Sequence, residues 1–288
     1  MKAVEITYRC EALERPQRPH PLDADAARRR LDEGNRAFAG LLDGLDKDDG
    51  TARRLIQVDS RDLGLLPDRR GAPKQRPFAA ILGCSDARVP IELIFNEGPN
   101  DLFVVRVAGN GFGTEVLGSL KYAIENLAGS LKIVAVLGHS GCGAISAAVD
   151  VFLKPAAYLP LASRHSLRSI IDRLLVVVHA SAKRLAEELG PEVTSRPGYR
   201  DALIEMSVLV NAALGALTVR QEIGGSGSSE AKAVYGVYLL ETRQVWAPGR
   251  GSAEWTGLAD PPRDAADFVA LGNFAARSER IESLLAGK

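Results

Sequence analysis

Lys132-Ile-Val-Ala-Val-Leu-Gly138 is a short apolar run that stops at a histidine, His139. Upstream, Phe78-Ala-Ala-Ile-Leu-Gly83 has the same character and stops at Cys84. Leu102-Phe-Val-Val-Arg-Val107 is another such run, ending before the glycine-rich Ala108-Gly-Asn-Gly-Phe-Gly113, and a helical pattern then fills Thr114 to Leu127. Strand-like runs alternating with helices build βαβ units and a parallel sheet. Near-continuous apolar strands mean that both sheet faces are covered. The expected fold class is therefore α/β: a mostly parallel central β-sheet flanked by helices, with an N-terminal helical arm and a final edge strand.

Working outward, a helix capped by Asp23 or Asp25 would carry Ala27, Leu31, Phe38 and Leu41 on one face. Residues 42–75 are rich in Asp, Arg, Gly and Pro and read as a loop-rich arm with one short helix near Arg53 to Val58. After Ile145 a helix runs to Phe152 and is broken by Pro155 and Pro160; residues 166–189 and 200–222 read as long helices. Gly224-Gly-Ser-Gly-Ser-Ser229 reads as a flexible connector to a last strand, Ala233 to Leu240, and Ala265 to Leu285 as a helix. The predicted organisation is an N-terminal arm and helix at 1–75, an α/β domain at 76–245 with a helical insertion at about 152–200, and a C-terminal tail and helix at 246–288.

Composition narrows the function classes. The 288 residues are 46% hydrophobic and 25% charged, with a formal net charge of zero. That balance makes no electrostatic case for nucleic acid or for an anionic membrane surface. The cysteines are Cys10, Cys84 and Cys142, too few and too scattered for a disulfide framework, which predicts a reducing, cytoplasmic setting. The N-terminus lacks the apolar core of a secretory signal, and no membrane span is expected; the best run, Leu174 to Ala180, is too short.

The chemistry gathers at strand ends, where open α/β sheets bind their ligands. Cys84 follows the first strand, His139 the third, and Cys142 lies in His139-Ser-Gly-Cys-Gly143. Two thiolates and an imidazole make a good zinc donor set, and three protein ligands leave a fourth position open. A strand-end cysteine alone is more often a small hydrophobe. Here, however, Cys84 opens Cys84-Ser-Asp-Ala-Arg-Val-Pro90, which sets a carboxylate and a guanidinium beside it. The segment 108–113 misses the dinucleotide fingerprint, and Gly138-His-Ser-Gly-Cys142 misses the nucleophile elbow.

With these residues in place, the sequence resembles the beta-class carbonic anhydrases. Cys84-Ser-Asp86-Ala-Arg88 matches that family's Cys-x-Asp-x-Arg, and His139-Ser-Gly-Cys142-Gly143 its His-x-x-Cys-Gly. Asp101 to Asn110, Leu31 to Phe38 and Val234 to Thr242 resemble further family segments, so that the likeness spans roughly residues 25 to 245. It implies one Zn2+ per chain on Cys84, His139 and Cys142, and a lyase converting carbon dioxide and water to bicarbonate and a proton. It also implies that Asp86 orients the attacking water, that Arg88 holds Asp86, and that Gln75, Phe103 and Tyr122 form the carbon dioxide pocket.

A homodimer or larger homo-oligomer follows from the same resemblance, with the N-terminal helix wrapping the neighbour. Family members that bind bicarbonate allosterically carry Trp three residues before the first Cys; Ile81 stands there, which favours a fourth zinc position open to water over one closed by Asp86. The rival readings are a carbon disulfide or carbonyl sulfide hydrolase on the same scaffold, and a zinc protein without turnover.

Overall fold

The computed structural model describes residues 3–11, 19–43, 50–65, 71–162, 165–226, 230–247 and 257–287. Strand β1 (Ala3–Glu11) and strand β2 (Thr51–Asp59) pair in parallel, Ala3 opposite Thr51 and Glu11 opposite Asp59. Helix α1 (Ala24–Ala39) lies between them in sequence and starts at Asp23, whose carboxylate accepts from the Ala26 amide at 2.7 Å. The central sheet follows with β3 (Ala79–Gly83), the short α2 (Ile91–Ile94), β4 (Leu102–Arg106), α3 (Thr114–Asn126) and β5 (Ile133–His139). Then come α4 (Gly143–Leu153), α5 (Leu159–Ala162), α6 (His165–Leu189) and α7 (Tyr199–Ser226). The chain finishes with β6 (Lys232–Tyr238), β7 (Val245–Trp246), α8 (Ala265–Ala276) and α9 (Glu279–Leu285).

The sheet order is β4-β3-β5-β6-β7, with the first four strands parallel and β7 antiparallel to β6. Side chains alternate between two cores, as a pleated sheet covered on both faces requires. Ala80, Leu82, Val134 and Val136 pack with α3, α4, α6 and α7, while Ala79, Ile81, Ile133 and Ala135 pack with Ala27, Leu31 and Phe95 on the other side. The stretch expected as an insertion contributes Ile171, Leu174, Val178 and Leu185 of α6 to the first of these cores.

Three expectations are corrected. The predicted short helix near Arg53 to Val58 is strand β2. Ala52, Ile56 and Val58 are buried while Arg53 and Leu55 are exposed, the period of two that suits β-branched residues in a strand. The single helix expected over 265–285 is two, because the Ser278 hydroxyl caps α9 by accepting from the Ile281 amide at 3.4 Å. A span-length apolar helix does exist: Tyr199–Gly225 within α7 is long and apolar enough to cross a membrane, yet 72% of its most apolar stretch is buried, which marks it as the core helix here. Residues 227–229 of the expected connector, and 248–256 of the Pro- and Gly-rich tail, lie outside the described residues.

A buried ion pair anchors α1 to the sheet. Glu97 is fully buried and accepts from Arg30 Nε at 3.0 Å and Nη2 at 2.5 Å, with Asp101 3.1 Å from the same nitrogen and Arg30 stacked 4.3 Å over the Phe78 ring. Arg30→Met would take from the buried Glu97 carboxylate the two-point grip of the guanidinium. We expect it to lower stability by about 3 kcal/mol, read as a fall in the thermal midpoint, and Glu97→Gln added to it should recover part of the loss.

Candidate active site

Strands β3 and β5 are neighbours, with Gly83 opposite Leu137, so the residues that leave their carboxyl ends emerge together. Cys84 emerges from β3 and His139 ends β5; Cys142 stands at the N-terminus of α4. The loop after Cys84 is a tight turn, with the Val89 amide donating to the Asp86 carbonyl at 3.1 Å. It turns Arg88 back onto Asp86: Nε donates to Oδ1 at 3.0 Å, Nη2 to Oδ2 at 2.8 Å, and the Arg88 amide to Oδ1 at 2.9 Å. Those hydrogen bonds from Arg88 hold the Asp86 carboxyl well below the usual carboxylate range against the cost of partial burial.

The second loop is just as constrained. Gly141 has φ +60°, a left-handed conformation that favours glycine. His139 is 1% exposed, and its Nδ1 lies 3.0 Å from the Ser140 carbonyl. A carbonyl can only accept, so Nδ1 carries the proton and Nε2 of the neutral ring offers a lone pair. That Nε2 is buried and has no hydrogen-bond partner. The ligand atoms of Cys84, His139 and Cys142 all lie within 4.8 Å of one another, and the two sulfurs are 4.0 Å apart.

These residues fit a tetrahedral divalent cation. Two sulfurs about 2.3 Å from one zinc ion stand about 3.8 Å apart, close to the separation found, whereas a disulfide needs about 2.05 Å. With Nδ1 engaged by a backbone carbonyl, the orphaned Nε2 is placed as the ligating nitrogen of a metal-bound histidine is. The thiols are prepared as well. Donation from the Cys142 thiol holds the Cys84 thiol well below its usual range, with the Gly109 and Asp86 amides assisting and burial opposing. The remaining proton on Cys142 is held by the neighbouring Cys84 and by burial, and a bound cation displaces it. Asp86 Oδ2, 3.9 Å from His139 Nε2, faces the set from a further side.

Asp86 and Arg88 thus stand beside the three expected ligands, but Gln75, Phe103 and Tyr122 do not. Phe103 pairs with Ala80, which puts it about 13 Å back along the sheet from Cys84. It packs against Tyr122, ring centroids 6.4 Å apart, and Tyr122 is 50% exposed. Gln75 is exposed in the segment before β3.

Sequence reasoning assigned nothing to Arg106. This side chain reaches from the end of β4 to the carbonyls of Cys84 at 2.9 Å and Asp86 at 2.5 Å, and so fixes the first ligand loop from beneath. Its one legible signal is a cation in the otherwise apolar Leu102–Val107. Glu205 and Glu241 were likewise unassigned. They accept from the Gly141 amide at 2.9 Å and from Ser140 Oγ at 3.0 Å.

The sequence model of the carbonic anhydrase family matches residues 79–238, more than half of the chain, and includes every residue of the cluster. Carbonic anhydrase 2 of Mycobacterium tuberculosis is 39% identical over 124 residues, covering 43% of this chain and 52% of that protein. The chain therefore spans about half the length of that relative. The carbonic anhydrase of Pseudomonas aeruginosa is 30% identical over 202 residues, covering 66% of this chain and 82% of that protein. Among solved structures, the beta-carbonic anhydrase CcaA is 23% identical with a TM-score of 0.48, covering 64% of this chain and 85% of that one. A family match that takes in both ligand loops, and a donor cluster that the fold assembles from them, place this chain in the beta-class carbonic anhydrase family.

Proposed function

We propose that this chain catalyses the reversible hydration of carbon dioxide to bicarbonate and a proton, with one zinc ion per chain on Cys84, His139 and Cys142. The observation that carries the reading is the buried, unpartnered lone pair of His139 Nε2 facing two free thiols, with the Asp86–Arg88 pair alongside. Zinc, when bound, lowers the pKa of water and so supplies a nucleophilic oxygen near neutral pH. Asp86 accepts a hydrogen bond from the attacking water and sets the direction of its lone pair. Arg88 keeps Asp86 ionised and turned by its two side-chain contacts. Arg106 holds the backbone carrying both Cys84 and Asp86, so that ligand and acceptor stay in register. Stopped-flow carbon dioxide hydration, with and without a zinc chelator, tests the proposal. Parallel assays on carbon disulfide and carbonyl sulfide test the substrate.

Phe103 and Tyr122 lie near the free edge of the sheet, too far from this chain's own cluster to line it. The exposed Tyr122 and the half-buried Phe103 at that edge support a homodimer in which they, with Gln75, complete the pocket of a second copy. The two unlinked thiols at 4.0 Å support a reducing, cytoplasmic setting.

Cys84 and Cys142 bring two negative charges to a divalent ion, so water there is acidified less than beside three neutral imidazoles. Hydration should climb with pH through the alkaline range. A kcat/KM profile flat from about pH 6 to about pH 9 would contradict the donor set.

A further inference from the structure

The loop that carries two of the three ligands is fastened by the C-terminal helix. Arg280 of α9 donates from Nε at 3.0 Å and Nη2 at 2.8 Å to Glu205 Oε2 on α7, and from Nη1 to Glu241 Oε1 beyond β6. Each carboxylate uses its other oxygen on the ligand loop. Glu205 Oε1 accepts from the Gly141 amide at 2.9 Å, and Glu241 Oε2 accepts from Ser140 Oγ at 3.0 Å. The Ser140 hydroxyl in turn accepts from the Leu240 amide at 2.9 Å, and the Ser140 carbonyl is the group that holds His139 Nδ1. One guanidinium therefore bridges two carboxylates that grip consecutive residues, and those residues sit between His139 and Cys142.

We infer that Arg280 is a positioning residue for the metal centre: it acts through Glu205 and Glu241 to lock the 139–142 loop in the conformation that binds zinc. This rests on the zinc reading above and adds to it a control that reaches the centre from outside the family's matched segment, 79–238. The physical reason is charge as well as reach. Without the guanidinium, Glu205 and Glu241 become two neighbouring anions beside a pair of thiolates, and each loses the cation that aims it. A lysine can pair with one carboxylate but cannot fork across both.

The experiment is transfer of zinc from the purified, zinc-loaded protein to a chromogenic chelator, run where near-ultraviolet dichroism shows every variant folded. Arg280→Met should release zinc about tenfold faster than the wild type, the scale on which groups supporting a metal ligand act, and Arg280→Lys should fall between them. Arg277→Ala is the control. It breaks a 2.7 Å pair with Glu188 at the same turn before α9 but touches nothing on the loop, so it should release at the wild-type rate. If Arg280→Met does not fold, Arg280→Lys alone decides, since release at the wild-type rate sinks the inference. Arg280→Met at the wild-type rate sinks it too, as does Arg277→Ala as fast as Arg280→Met. Wild-type protein that takes up no zinc overturns the metal reading and the clamp together, whereas wild-type zinc with unchanged release in Arg280→Met overturns the clamp alone.

Discussion

Cys142→Ala protein should fold, yet zinc should drop from about one per chain to near zero and carbon dioxide hydration should fall by about a thousandfold or more. Cys142 stands just before α4 in a core that accepts a small apolar side chain, so the lost thiol costs little packing. It does remove one of the three donors gathered within 4.8 Å, and nothing replaces it within the cluster. Two donors, one of them neutral, hold a divalent cation poorly at neutral pH. Metal analysis by emission spectrometry and stopped-flow hydration read the two effects separately. A variant that keeps stoichiometric zinc, or more than a tenth of the activity, would remove Cys142 from the site.

Asp86→Asn should behave in the opposite way, keeping its zinc and losing about a hundredfold in kcat/KM. The amide is nearly isosteric, so the loop held by Arg106 at the Cys84 and Asp86 carbonyls remains in place. What disappears is an acceptor that Arg88 keeps anionic. Arg88→Lys should lose less, because an ammonium leaves Asp86 charged while giving up the two-point grip of 3.0 and 2.8 Å. Loss of zinc in Asp86→Asn would mean that the carboxylate supports the metal rather than the reaction. In the structure Asp86 is turned to Arg88, the arrangement expected if a bound zinc ion is to keep its fourth position for water. A zinc-loaded crystal at neutral pH with Asp86 on the metal would overturn that choice.

The parts of the fold legible in the sequence are those whose signal is local. Strands β3 and β5 announce themselves as uninterrupted apolar runs, and each ends at a ligand, so both the sheet and two of its three donors can be read from residues 78–84 and 132–139. The β1–β2 pair could not be read this way. Its ladder joins residues 48 apart, as between Glu5 and Arg53, and its polar alternation looks like a charged arm until the partner is known. Arg106, Glu205 and Arg280 carry no motif at all, because their roles exist only where β4, α7 and α9 converge on the ligand loops. Gln75, Phe103 and Tyr122 are a different case. Resemblance brought them to the pocket, but one chain sets them apart from its own cluster, and only a second copy could reconcile the two.

The fastening of the ligand loop also sets an order of events during synthesis. Gly141 must wait for Glu205, 64 residues further along, and Glu205 for Arg280 another 75 beyond it. At a ribosomal pace of 5–20 residues per second, that interval is on the order of ten seconds. For that time a nascent chain has all three donors but not the fork that aligns two of them, so zinc captured early is free to leave again. On the clamp inferred above, maturation of this centre would be timed by the arrival of Arg280 rather than by the appearance of its ligands.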